Sequence, residues 1–296
     1  MKTSHKKSLG KFLRLGGTIL SSALFVWVIA SQEWHLVFEH LSQISLGWVF
    51  LALGIYLSSQ AFNTLRWCVL LWAHSVPITF WQAFRITWSG IFASNFLPST
   101  IGGDGLRMAA ILPYTRSKSV AFGSVALDRL INMANYACLL PLPLWFFGDK
   151  LNTLFALALP FDLRQLAEKY FPKIAGALRE WASRPAAFGW AFLVAWPSNL
   201  AIMLANYVIA RQLGIEISFA QVMAVQTVGY FLSVLPISIN GYGVREVTFT
   251  TLLVALGASL EQASAMAVIT RFLAVLVTVP GALWFSRVAS DVAEKA

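Results

Sequence analysis

The chain reads as an all-α, polytopic helical membrane protein, with about six to eight membrane-crossing segments and two re-entrant broken-helix hairpins in an internal repeat. Three observations lead there. The sequence is 58% hydrophobic and only 12% charged, where soluble domains carry about 25% charge. Apolar runs of spanning length recur from residue 16 to residue 288. The stretch LPSTIGGDGLR at residues 97–107 returns as LPISINGYGVR at residues 235–245. At one constant offset Leu97 pairs with Leu235, Pro98 with Pro236, Ile101 with Ile239, Gly103 with Gly241, Gly105 with Gly243 and Arg107 with Arg245.

The net charge is +9. On a soluble chain this excess suggests nucleic acid, but here basic loops at a cytoplasmic membrane face account for it and no nucleic-acid partner is expected. The twelve Trp fit partly as interface anchors. Cys68 and Cys138 form no metal spacing and no disulfide framework, and the four histidines do not cluster at metal spacing. No metal site or cofactor is expected.

In chain order, residues 1–14 carry Lys2, Lys6, Lys7, Lys11 and Arg14 and no acid. The apolar run 16–30 is taken as an uncleaved first span with a cytoplasmic N-terminus; the alternative is a signal peptide ending at Val28-Ile29-Ala30. Residues 32–45, with Glu33 and Glu39, suit the outer face. Residues 46–67 form a second span that Arg66 ends at the inner face. Tyr56, Gln60, Asn63 and Trp67 make a polar stripe on it, either for interhelical hydrogen bonds or for a cavity wall. Residues 80–95 lead from Arg85, at the inner surface, into the first glycine stretch.

There Pro98 biases Leu97 away from helix. Gly102, Gly103 and Gly105 permit tight turns, so the exit helix is expected to begin just after Gly105, over residues 106–112. Each half is short of the ~20 residues a crossing needs, hence a re-entrant hairpin. Irregular backbone at membrane depth survives only where protein or a water-filled cavity covers it. Arg116 and Lys118 return the chain to the inner face.

Residues 120–147 are expected to be one long helix, with Ser124, Asp128, Asn132 and Asn135 on one face and its far end bent by Pro141 and Pro143. Residues 151–161 are apolar but short. Residues 162–184 form an amphipathic, slightly basic helix. Pro197 is expected to interrupt the run 186–210. Residues 219–234 and 244–256 flank the second glycine loop, Pro236 to Gly243, and residues 261–288 form a last long helix holding Arg271. Its Ala263 and Arg271 match Ala121 and Arg129. Residues 1–296 thus form one transmembrane domain, with repeat units at about 46–161 and 186–288. The basic excess of 162–184 favours an inverted arrangement, whereas Arg211 favours a parallel one.

The candidate substrate-binding residues are Arg107, Arg129, Arg245 and Arg271, with Asp104, Asp128 and Glu246, and with Ser99 and Asn240 as neutral donors. Each arginine at mid-membrane costs ~2.5–3.5 kcal/mol, so all four should face inward, paired or hydrated. One reading is that the acids neutralise them as structural glue. The other uses the surplus of four cations over three acids beside broken helices, whose N-termini favour anions. Arginine's planar fork suits phosphate or carboxylate. The expected partner is a membrane lipid with an anionic, phosphate-bearing headgroup. No nucleophile elbow, HExxH, Walker loop or dinucleotide fingerprint is present, so enzymatic activity is not expected.

The segments SNFLPSTIGGDGLR, SVALDR and LPISINGYGVRE resemble the lysylphosphatidylglycerol synthase transmembrane family, over roughly residues 12–288. The resemblance implies a polytopic fold with two re-entrant segments and a flippase role in moving phospholipid between leaflets of the inner membrane. It points to Asp104, Arg107, Asp128, Arg129, Arg245 and Glu246. No soluble aminoacyl-transfer domain is recognised in these residues, so synthesis of aminoacylated lipid is not expected. Three other readings remain open. They are a membrane enzyme acting on lipid phosphate with Asp104 or Asp128 as base, an anion channel, and a scaffold for lipid-biosynthesis enzymes of glycolipid or hopanoid pathways. For a transporter, Asp104 and Asp128 are also candidate proton carriers.

Overall fold

A computed structural model describes residues 42, 44–95, 100–115, 117–148, 183–234 and 244–295. The described residues form helices without strands. These are α1 (Leu46–Ala73), α2 (Phe80–Ser94), α3 (Thr100–Thr115), α4 (Lys118–Ala137), α5 (Pro141–Gly148), α6 (Pro185–Gln212), α7 (Phe219–Val234), α8 (Val244–Ala255), α9 (Leu260–Thr278) and α10 (Pro280–Lys295).

Three helix starts recur at one spacing in this order. The starts of α1 and α6, of α2 and α7, and of α5 and α10 each lie 139 residues apart. Local chemistry repeats with them. Thr79 and Gln82 form a reciprocal capping box at α2, and Ser218 and Gln221 exchange the same backbone hydrogen bonds at α7. Such caps satisfy amides that the first helical turn leaves unpaired. Ser117 caps α4, and Ser259 with Gln262 caps α9.

α1 and α6 pack along their length in opposite directions. Tyr56 donates to Asn206, while Ser198, earlier in α6, donates to the carbonyl of Ser59, later in α1. Ala52 shares a buried cluster with Ala205 and Ile209, and Trp67 and Leu71 share another with Ala191 and Ala195. Since six residues connect α1 to α2 and six connect α6 to α7, α2 and α7 begin at opposite ends of the bundle. α2 packs on α3, and α7 on α8.

Glycine sets the closeness of each hairpin. A Cβ on Gly103 would overlap the carbonyl of Gly90, so only glycine lets α2 and α3 meet there. Gly229 stands 139 residues after Gly90 and takes the Phe249 ring of α8, which would lie 2.7 Å from a Cβ.

Several expectations change. α3 begins at Thr100, so Gly102, Gly103 and Gly105 lie inside its first turns and not before it. Gly103 serves close helix packing, whereas a Cβ on Gly105 would meet nothing within 4 Å. α6 runs unbroken through Pro197. The last helix divides at Pro280, because Pro280 has no N–H to continue the ladder. The far end of residues 120–147 bends by 47° between α4 and α5, as Pro141 suggested. Among the described residues α6 and α9 are long and apolar enough to cross a membrane, and the bent pair α4–α5 makes a third. Two stretches counted towards the expected six to eight spans, 16–30 and 151–161, lie outside the described residues, as does the amphipathic segment 162–182.

Candidate functional site

The ionisable residues fall into two groups. In the first, Asp128 of α4 is buried between two arginines. It accepts from Arg66 Nε at 2.7 Å and from Arg107 Nη2 at 3.0 Å. Asp104 lies a turn before Arg107, pairs with it at 3.5 Å, and also pairs with Arg129. A chain of five alternating charges, Arg66–Asp128–Arg107–Asp104–Arg129, thus ties α1, α3 and α4 together. Arg107 further lies 4.3 Å over the Trp67 ring, whose indole donates to Ser124. A cation held over an aromatic face is stabilised where water is excluded.

The pattern departs from expectation at Arg66 and Arg129. Arg66 does not end α1 at a membrane surface: it is 4% exposed and central to the network. Arg129 is expected inside, yet its side chain is 43% exposed. Arg107 is buried but turned to carboxylates. Arg66 also donates to Asn132 at 2.8 Å and to Asn63 at 2.8 Å, and so orients two residues of the central cavity.

That cavity, about 300 Å³, lies between α1, α2, α4, α6, α7, α8 and α9. Both repeat units line it. Ile91 and Asn95 come from the end of α2, and Tyr230 and Ser233 from the end of α7, so the two hairpins reach it from opposite ends. The second charge group is here. Arg245 and Arg271 both line the wall, and no Asp or Glu does among the described residues. Arg245 lies 5.1 Å over the Phe249 ring. Arg271 is 3.6 Å from Glu246, whose carboxylate stays outside the lining. α8 begins at Val244, so Arg245 sits in its first turn, where unpaired amides favour an anion.

The other walls are neutral and polar, and they are held in place by hydrogen bonds. Asn199 donates to Asn132 at 3.1 Å and to Asn135 at 2.7 Å. Asn206 donates to Gln226 at 2.8 Å and Asn95 to Thr278 at 2.8 Å. Tyr136 and Tyr230 stack at 4.0 Å between centroids. Such a wall offers both donors and acceptors, so the preference for an anion rests on the two arginines.

The polar stripe of α1 therefore serves both purposes weighed for it. Tyr56 bonds across to α6, and Tyr56, Gln60 and Asn63 line the cavity. Sequence reading missed Arg66, although its place three residues after Asn63 continues that stripe. It also missed Gln226, Tyr230 and Ser233, which share a face of α7 at helical spacing. Of the remaining candidates, Ser99, Asn240, Pro98, Pro236, Gly241 and Gly243 lie outside the described residues.

A search of the curated proteins returns no match. The family model described as the lysylphosphatidylglycerol synthase TM region matches residues 14–281. The chain is therefore a member of that family and an integral membrane protein related to lipid handling.

Proposed function

We propose that the protein is a lipid transporter that binds a phosphate-bearing headgroup in the central cavity and carries it between leaflets of a cell's inner membrane. One observation carries this reading. The cavity lies where the two repeat units meet and has two arginines but no carboxylate in its described wall. A cavity of that size holds a headgroup and leaves the acyl chains among the lipids. Arg245 and Arg271 are the ligands, with Asn95 and Gln226 as neutral donors. Arg107, Asp104, Asp128 and Arg129 build the wall behind, and Arg66 transmits their rigidity through Asn63 and Asn132.

An inverted repeat fits this role, because two equivalent hairpins starting at opposite ends give the cavity equivalent approaches from both leaflets. The opposed directions of α1 and α6 support it. Charge supports an orientation. At the end where α1 finishes, Arg85, Lys118, Arg184 and Arg287 stand against Asp291; at the other, Arg211 stands against Glu216 and Glu261. Positive charge collects on the cytoplasmic side, so α2 starts there. The reading is of a carrier and not an enzyme, and flux follows a lipid or ion gradient.

The test is exchange of fluorescent phosphatidylglycerol between leaflets of vesicles holding the purified protein. Wild type accelerates exchange, and Arg245→Gln with Arg271→Gln loses most of it while retaining its unfolding temperature. Equal exchange by wild type and the double variant overturns the reading.

A further inference from the structure

A second groove, about 220 Å³, lies away from the central cavity between α2, α3 and α10. Arg85 and Arg287 line it from α2 and α10, beside Gln82, Tyr114 and Trp284. Asp291, one turn beyond Arg287, also lines it and offsets one of the two positive charges. Both arginines are exposed, and neither forms an ion pair among the described residues. Arg85 instead lies 5.3 Å over the Trp81 ring. A cation over an aromatic face is stabilised there without a carboxylate.

The setting identifies the occupant. α10 runs back along α2, with Gly281 against Trp88 and Trp284 stacked on Trp88 at 5.7 Å and edge-on to Trp81 at 5.7 Å. Trp81 is 48% exposed. Exposed tryptophan beside arginine marks the level of lipid headgroups. Ile86, Val288 and Val292 make the groove's remaining walls apolar. A free anion has no use for such walls, whereas a glycerophospholipid presents its phosphate to the arginines and its backbone to the apolar side.

We propose that this groove is a second lipid site, holding the phosphate of an anionic glycerophospholipid between Arg85 and Arg287 at the basic membrane face. It is separate from the transport cavity and stands even if that cavity has another role.

The groove's tryptophans supply the readout. The full chain is placed in phosphatidylcholine nanodiscs containing a small share of chain-brominated phosphatidylglycerol, and tryptophan quenching is compared with that by brominated phosphatidylcholine. Wild type shows stronger quenching by the anionic lipid, and the excess falls in a W81F/W284F chain, the difference being the share due to Trp81 and Trp284. R85Q/R287Q weakens apparent affinity for that lipid about tenfold. R85K/R287K retains much of it, and R245Q/R271Q leaves the excess due to Trp81 and Trp284 unchanged. Equal quenching by the two lipids in wild type overturns the site, as does a Trp81 and Trp284 share of the excess that survives R85Q/R287Q. Loss of the excess on adding inorganic phosphate, without recovery at higher brominated phosphatidylglycerol, identifies a free-anion site and also overturns the lipid assignment.

Discussion

The two repeat units share a frame and differ in what their charges face. In the first, Arg107 of α3 is closed in by Asp128, Asp104 and the Trp67 ring. In the second, its counterpart Arg245 stands in the wall of a polar cavity, with an aromatic ring behind it and no described carboxylate in the lining. One duplicated arginine is thus structural and the other open to solvent or ligand. The physical difference is the partner. α4 supplies Asp128 directly before Arg129, whereas by the pairing of Arg129 with Arg271 its counterpart on α9 is Thr270, which bonds its own helix backbone. An acid retained on one side neutralises; a threonine on the other leaves the cation available.

This contrast is easiest to break at Asp128. Asp128→Ala leaves Arg66 and Arg107 buried beside a lost carboxylate, and removing one partner of such a pair costs ~3–5 kcal/mol. Thermal unfolding in detergent should show a large drop. Asp128→Asn should recover part of it, since the amide oxygen still accepts. Next comes Arg245→Gln, expected to slow lipid exchange about tenfold or more through loss of a charge-assisted hydrogen bond, with unfolding nearly unchanged. A destabilisation comparable to that of Asp128→Ala would show that the second unit is also a closed structural network.

The hairpins offer a smaller effect. Gly103→Ala forces a methyl against the Gly90 backbone, which cannot yield, and should cost ~1–3 kcal/mol. Gly229→Ala meets the edge of the Phe249 ring, which can rotate, so its cost should be lower; denaturant unfolding of the two variants measures the order. Smallest is Tyr56→Phe. It removes the donor to Asn206, which keeps Gln226, and should cost about 1 kcal/mol. A larger loss would mean that the seam between α1 and α6 depends on this one bond.

The apolar runs and the paired glycine stretches were legible in the chain, because each rests on neighbours within a few residues. Phe219–Val234 could be read to the residue for this reason. Arg66 was misread for the complementary reason. Alone in sequence it resembles a charge ending a span, and only Asp128, sixty-two residues away, makes its burial tolerable. The glycines of residues 102–105 were likewise read as a loop, since nothing local reveals that Gly90 crosses them.

Composition by itself determined that this is a membrane-embedded helical chain, since hydropathy acts over one or two turns. Which arginine is neutralised and which faces an open cavity was decided only by tertiary structure. Electrostatic partnership depends on distances of a few ångströms between helices far apart in the chain, and no local pattern encodes them.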